Sequence, residues 1–361
     1  MSGPVPVPGV MDVPDYIQGA STAPGIANPI KLSSNENVYG PSPKAVEAIC
    51  RAAGDVHLYP EGTSPEVCQA IAEYWNLPED RIITTTGSDQ LILVILRAFM
   101  RAGDEGMYFS DGFAKYRSGV TGIGGVPVEI QRDKDRGFAF DLEEVRAAVT
   151  PRTRILFLDN PGNPTGVALS GEALRALHAV LPPDVLLVID EAYVEYSEIG
   201  RAGLDLAASQ GNVIVFRTFS KAFGLAGLRV GWAFGPKPIL DALNRVRTTF
   251  PLTIPSIAAV LAALDDRAHV ETSVEAVKRT RARVVERLRA GGWTIPEPAG
   301  NFLLLRFPGT EPMSYEAADA ALLAKGVLVR PNKLVDGEKV LRITIGMDDQ
   351  MRPVLDALLP G

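Results

Sequence analysis

The chain has little cysteine and little histidine. Its two cysteines, Cys50 and Cys68, lie in helix-like segments without CxxC spacing. That excludes a disulfide-stapled scaffold and a cysteine zinc site, and it suits a reducing compartment. His57, His178 and His269 are too dispersed to gather a metal, so none is expected. A basic block is also lacking: 36 Lys and Arg are scattered among 43 Asp and Glu, for a formal charge of −7. Nucleic acid is therefore not an expected partner. The longest apolar run, LILVILRAFM, is interrupted by Arg97 and is too short to cross a bilayer. The opening MSGPVPVPGVMDVP lacks the basic and apolar regions of a signal peptide, so a cytoplasmic protein is expected.

What is present is ordinary for a soluble enzyme: 46% hydrophobic and 22% charged residues over 361 positions. This length suits two or three domains, or one large α/β domain with an appendage, and leaves ample material for a buried site. Residues 1–43, rich in Pro, Gly, Ser and Asn, read as an extended arm that needs something to lie against. Over 44–250, the runs RIITTT, MYFS, VPVEI, RILFLD, VLLVID and VIVF alternate with helical patterns such as 88–101, 141–149 and 170–180. Several runs are apolar on both faces, as in a parallel sheet covered by helices, so the class is α/β. The stretch TTFPLTIPS marks a break. Over 251–361 two helices (256–265 and 271–290), NFLLLRF, a helix near 315–325, GVLVR, VLRITIG and a last helix suggest a smaller α+β domain.

Ligands in such sheets bind at the carboxyl ends of strands. Asp190 ends VLLVID, so its carboxylate emerges there and needs a cationic or N–H partner; the plain alternative is a turn cap. Tyr193 of DEAY brings a phenol to the same side. In LDNPGNPTG the prolines and glycines force an exposed turn that presents Asn163, although a well-made turn alone explains the residues. TTTGSDQ leads through Gly87 and Ser88 into a helix whose N–H groups suit a phosphate; a simple N-cap by Ser88 is the rival. Lys221 lies in TFSKAFGLAGLRVG, where burial and a nearby cation lower an amine's pKa as attack on a carbonyl requires; a surface lysine is the alternative. Arg229 is either that cation or a phosphate clamp. Gly224, Ala226 and Gly227 are read as allowing tight backbone packing, with positive φ open to the glycines.

These segments occur in order, each after a candidate strand, and at this point the chain resembles the fold-type I pyridoxal-phosphate (PLP) aminotransferases, within them the histidinol-phosphate aminotransferase group. The resemblance spans nearly the whole chain and rests on KLSSNENVYGPSP, LYPEG, TGSDQLI, DNPGNPTG, IDEAYVEY, TFSKAFGLAGLRVG, NFLLLRF and VLRITIG. It implies a large domain with a mostly parallel seven-stranded sheet between helices, plus the smaller C-terminal domain. It makes Lys221 the Schiff-base lysine and proton shuttle of a ping-pong transaminase, and Asp190 the partner of the cofactor's ring nitrogen. Tyr193 and Asn163 would bond its phenolic oxygen. Gly87, Ser88, Asp89, Ser220 and Arg229 would line its phosphate side, and Phe113 would stack on its ring. Tyr59 would reach the cofactor phosphate of a second subunit, which implies a homodimer with shared sites.

On the substrate side the resemblance points to Arg342 and Arg330 as grips for anionic groups. Tyr16 would close the pocket, Asn35 would order the arm over it, and Tyr39 would lie near the substrate entrance. Gln90, the Val38–Tyr39 pair and Gly162 depart from the family's common residues. The implied reaction converts histidinol phosphate and 2-oxoglutarate to imidazole-acetol phosphate and glutamate, in histidine biosynthesis. Rival readings are an aromatic or broad-range aminotransferase, a threonine-phosphate decarboxylase-like lyase, and a non-enzymatic effector-binding module, against which the filled catalytic positions argue.

Overall fold

The computed structural model describes residues 3–6, 9–15 and 17–359. In chain order, β1 (Ile30–Lys31) precedes helices α1 (Pro43–Ala52) and α2 (Pro65–Trp75). A β/α succession follows: β2 (Ile82–Thr86), α3 (Ser88–Phe99), β3 (Glu105–Phe109), α4 (Lys115–Gly122), β4 (Val126–Ile130), α5 (Leu142–Ala148), β5 (Thr153–Asp159) and α6 (Gly171–Ala179). It continues with β6 (Leu186–Asp190), α7 (Ala202–Ser209), β7 (Val213–Thr218), β8 (Val230–Phe234) and α8 (Lys237–Val246). The remainder comprises α9 (Ile254–Asp265), α10 (Arg267–Ala290), β9 (Phe302–Leu305), α11 (Tyr315–Ala324), β10 (Val327–Leu328), β11 (Arg330–Lys333), β12 (Lys339–Thr344) and α12 (Asp348–Leu358).

The architecture is α/β. Seven strands form one sheet in the order β2-β8-β7-β6-β5-β3-β4. The six runs expected as strands all pair in it. The seventh strand, β8, runs antiparallel to both β2 and β7 and was not among the expected runs. Strands β3, β6, β7 and β8 are buried along their whole lengths because helices cover both faces, which in β6 and β7 shows as the apolar runs LLVI and VIVF. Helix starts are marked by local chemistry. Ser42 accepts from the Lys44 N–H ahead of Pro43, and Ser170 and Ser314 accept from Ala173 and Ala317.

The second sheet, β11-β12-β9, is antiparallel. Chain from the N-terminal arm joins this side of the molecule: β1 pairs in parallel with β10, and the Thr344 N–H donates to the Leu32 carbonyl. The β11–β12 hairpin is tied to the seven-stranded side by a charged cluster. Glu338 meets Lys134 at 2.6 Å and Arg306 at 2.9 Å, and Arg306 also reaches Asp135. Phe138 packs with Leu304, Leu334 and Val340 beside it. This tie fixes where β12 presents its side chains. No helix among the described residues is long and apolar enough to cross a membrane.

Candidate active site

A cleft of about 1120 Å³ opens between the carboxyl ends of the large sheet and the β11–β12 hairpin. Lys221, Asp190, Tyr193, Asn163, Phe113, Ser88, Asp89, Ser220, Arg229, Asn35, Arg330 and Arg342 all line it. One cleft therefore gathers twelve residues that the sequence scatters from position 35 to position 342.

Its floor is a pair of carboxylates. Asp159 and Asp190 are direct neighbours in the β5–β6 register, so two acids end adjacent parallel strands. They have different partners. Asp159 accepts N–H bonds from Asn163 (2.7 Å) and Phe113 (3.1 Å) and faces the buried Arg132 guanidinium at 3.6 Å. It thus pins the two loops that carry the Asn163 and Phe113 side chains. Asp190 accepts from the Tyr116 hydroxyl at 2.9 Å and the Ala192 N–H at 3.0 Å. Burial, then the Asp159 charge, push its pKa up to about 7. A cation at this face would reverse that shift. Asp159 ends RILFLD as Asp190 ends VLLVID and was not singled out in the sequence; Tyr116 had no local signature there, and it is fully buried, stacked on Phe157 at 4.9 Å.

Lys221 follows β7 in the loop that leads into β8. Its Nζ donates to the Ser34 carbonyl at 3.2 Å and stands 5.6 Å from the centre of the Tyr193 ring. Its pKa is lowered to about 8, first by burial and next by the Arg342 charge, with Arg229 contributing less. Arg342, rather than Arg229, is thus the leading neighbouring cation. Among the loop's small residues Gly224 is the one that geometry demands: its φ is +69° and a Cβ there would come 2.5 Å from the Gly40 carbonyl oxygen. Gly227 has open space around it and no positive φ, so the packing expected of it is absent.

Above Asp190, Tyr193 is 5% exposed and packs edge-on to Phe302 at 5.0 Å. Its hydroxyl accepts from Asn163 Nδ2 at 3.3 Å and Asn35 Nδ2 at 3.1 Å. Asn163 Oδ1 in turn accepts from Arg342 Nη1 at 2.7 Å. Phe113 lines the cleft edge-on to Tyr116.

At the other end, the N-cap of α3 is Gly87, with φ +76°, and no side chain caps the helix. Ser88 is the first helical residue, so the simple N-cap alternative does not apply. A Cβ on Gly87 would lie 2.5 Å from Arg229 Nη2. Glycine therefore lets the guanidinium sit against the amino end of the helix, where N–H groups and the helix dipole attract an anion. Arg229 also donates to Ser220 Oγ at 3.3 Å.

Arg330 and Arg342 are direct cross-strand partners on β11 and β12, which puts both side chains on one face of the hairpin. Arg342 also donates to the Ser33 carbonyl at 2.8 Å. Arg330 donates to the Ile17 carbonyl. Asn35, a residue of the arm, is buried, with φ +55°, and its side chain bonds Tyr193 and Thr344.

Tyr39 departs from its expected position. The Asn37 side chain accepts from its N–H and closes a turn ending at Gly40. The phenol packs on the core near Asp348, Arg279 and Arg283, outside the lining of this chain's cleft. Tyr59 also lies off this cleft, 82% exposed and stacked on Phe250 at 4.5 Å. Tyr16 falls outside the described residues. Of the departures, Gln90 accepts from the Thr86 N–H, and a Cβ at Gly162 would meet Thr165 Oγ1 at 2.6 Å.

A buried lysine of lowered pKa, a strand-end aspartate and paired arginines thus meet in one cleft on an α/β sheet. The sequence profile of aminotransferase class I and II matches residues 27–358, and the chain belongs to that family. Histidinol-phosphate aminotransferase 1 of Caulobacter vibrioides is 40% identical over 98% of both chains. The histidinol-phosphate aminotransferase of Dinoroseobacter shibae is 42% identical over 98% of this chain and 96% of its own. In structure, the histidinol-phosphate aminotransferase of Sinorhizobium meliloti, solved with pyridoxal-5'-phosphate, superposes with a TM-score of 0.82. It has 28% identity and covers 91% of this chain and 89% of its own.

Proposed function

We propose that this chain is a PLP-dependent aminotransferase that converts histidinol phosphate and 2-oxoglutarate to imidazole-acetol phosphate and glutamate in histidine biosynthesis. The observation that carries the reading is the meeting, in one cleft, of Lys221, the buried Asp190 and the Arg330–Arg342 pair. Relatives at about 40% identity over nearly the full length support the substrate.

The residues fit the cofactor. Asp190 is a buried acid whose pKa stands near 7 without a cation beside it, and a protonated ring nitrogen would supply that cation. The Gly87–Arg229 contact leaves a cradle for a phosphate at the start of α3, with Ser88, Asp89 and Ser220 around it. When bound, the cofactor supplies an aldehyde for amine exchange and a sink for the electrons released at the substrate Cα.

The chain's own groups do the rest. Lys221 would hold the cofactor covalently and, when its amine is free, its lowered pKa would let that amine take the substrate Cα proton near neutral pH and deliver it again. Asp190 would keep the cofactor's ring nitrogen protonated. Tyr193 and Asn163 would bond its phenolic oxygen, and Phe113, at the same cleft, would cover its ring. Arg342 and Arg330 receive the substrate's anionic end, a task suited to paired guanidinium forks.

Tyr59, exposed beside Phe250, is proposed to complete the phosphate site of a second copy in a homodimer, and the setting is proposed to be the cytoplasm. The test is direct: purified protein with PLP, histidinol phosphate and 2-oxoglutarate should form glutamate. Absence of glutamate would refute the reading, and carbon dioxide released from phosphothreonine instead would replace it with a lyase.

A further inference from the structure

Tyr193 has one proton and two acceptor positions on its hydroxyl. Both acceptor positions are filled by amide N–H groups, Asn35 Nδ2 at 3.1 Å and Asn163 Nδ2 at 3.3 Å. The remaining direction is the cleft that Tyr193 lines. Burial raises the phenol's pKa to about 12, so the proton is retained at neutral pH.

An amide helps in this way only if its NH₂ end faces the phenol. The oxygen ends of both amides are occupied by one strand. Asn163 Oδ1 accepts from Arg342 Nη1 at 2.7 Å, and Asn35 Oδ1 accepts from Thr344 Oγ1 at 3.2 Å. Arg342 and Thr344 are two apart on β12 and therefore share a face. Thr344 is doubly engaged: its Oγ1 also accepts the Asn35 backbone N–H at 2.9 Å. Asn35 is 1% exposed and Thr344 2% exposed, so no bulk solvent competes for these bonds. The Asn301 amide fixes the Asn35 carbonyl as well, at 3.0 Å.

We propose that Thr344 is a positioning residue: by holding the Asn35 amide oxygen it turns the Asn35 NH₂ onto Tyr193 and commits the single Tyr193 proton to the cleft. This rests on the proposed function, in which that proton meets the cofactor's phenolic oxygen. β12 then has two duties on one face, presenting Arg342 to substrate and, through Thr344, orienting the phenol.

The test is a spectrophotometric pH titration of the PLP-loaded protein, following the visible band of the cofactor bound to Lys221, for wild type, Thr344→Val and Thr344→Ser. Valine keeps the shape and removes both bonds; serine keeps the hydroxyl. A donor on the phenolic oxygen draws off charge that otherwise holds the proton shared with the Lys221 nitrogen. Losing the donor should raise the titration midpoint by about 0.5–1 pH unit. The inference expects that rise in Thr344→Val and a near-wild-type midpoint in Thr344→Ser.

Equal midpoints for wild type and Thr344→Val, or equal shifts in Val and Ser, overturn it. Should Thr344→Val not fold, Thr344→Ala reads the same property without adding a charge: a raised midpoint supports the inference and an unchanged one overturns it. Wild-type protein that takes up no PLP overturns the cofactor reading and this inference together.

Discussion

Asp190 offers a test that needs no substrate. The perturbation is Asp190→Asn in cofactor-free protein. The folded pKa of Asp190 is about 7, against 3.8 for a free aspartate, because burial and then Asp159 disfavour its charge. The folded state thus binds more protons than the unfolded chain between about pH 4 and 7, and stability falls as pH rises through that window. At about 1.4 kcal/mol for each pH unit between those two values, roughly 4 kcal/mol is lost by pH 8. At about 2.1 cal/mol/K of unfolding entropy per residue, a chain of 361 residues converts that to about 5 °C of melting temperature. Asparagine titrates at no pH and can still bond the Ala192 N–H and the Tyr116 hydroxyl. The assay is calorimetry of PLP-free wild type and variant from pH 5 to 8. The variant should melt about 5 °C above wild type at pH 8 and only about 2 °C above it at pH 5, and saturating PLP should restore the advantage of wild type. A difference independent of pH, or a variant less stable than wild type at pH 8 without PLP, would refute the reasoning.

Lys221→Ala should lower transamination about 10³-fold or more while retaining PLP by its phosphate, read by steady-state rate and by dialysis. Because the Lys221 pKa is about 8, its covalent capture of PLP should quicken about tenfold per pH unit below 8 and level off above it, as followed by absorbance. Arg342→Ala should raise KM for histidinol phosphate about 10- to 100-fold, the loss expected for a charge-assisted bond to an anion. Glu338→Gln, which loosens the tie between the hairpin and Lys134 and Arg306, should raise KM more than it lowers kcat.

Much of this was legible in the sequence because the large sheet is buried on both faces, and that burial writes itself as unbroken apolar runs ending in Asp159 and Asp190. Lys221 was legible as the one lysine in a small, apolar loop. β8 was not, since it begins inside the glycine-rich stretch and pairs antiparallel, breaking the βα rhythm. Tyr116 was hidden for another reason: its bond to Asp190 spans 74 positions, and nothing in GFAKYRSG marks it. Thr344 and Asn35, 309 positions apart, are joined solely by folding. Tyr39, placed near the substrate entrance by the resemblance, instead follows an Asx-closed turn that packs its phenol against the core.

The most direct measurement of the central claim is the isolated half-reaction. PLP-loaded protein is mixed in a stopped-flow instrument with histidinol phosphate, and separately with phenylalanine, with no keto acid present, and the visible band is followed. Rapid bleaching by histidinol phosphate, at concentrations where phenylalanine reacts far more slowly, is the predicted result. Faster bleaching by phenylalanine, or no bleaching by histidinol phosphate, would contradict it.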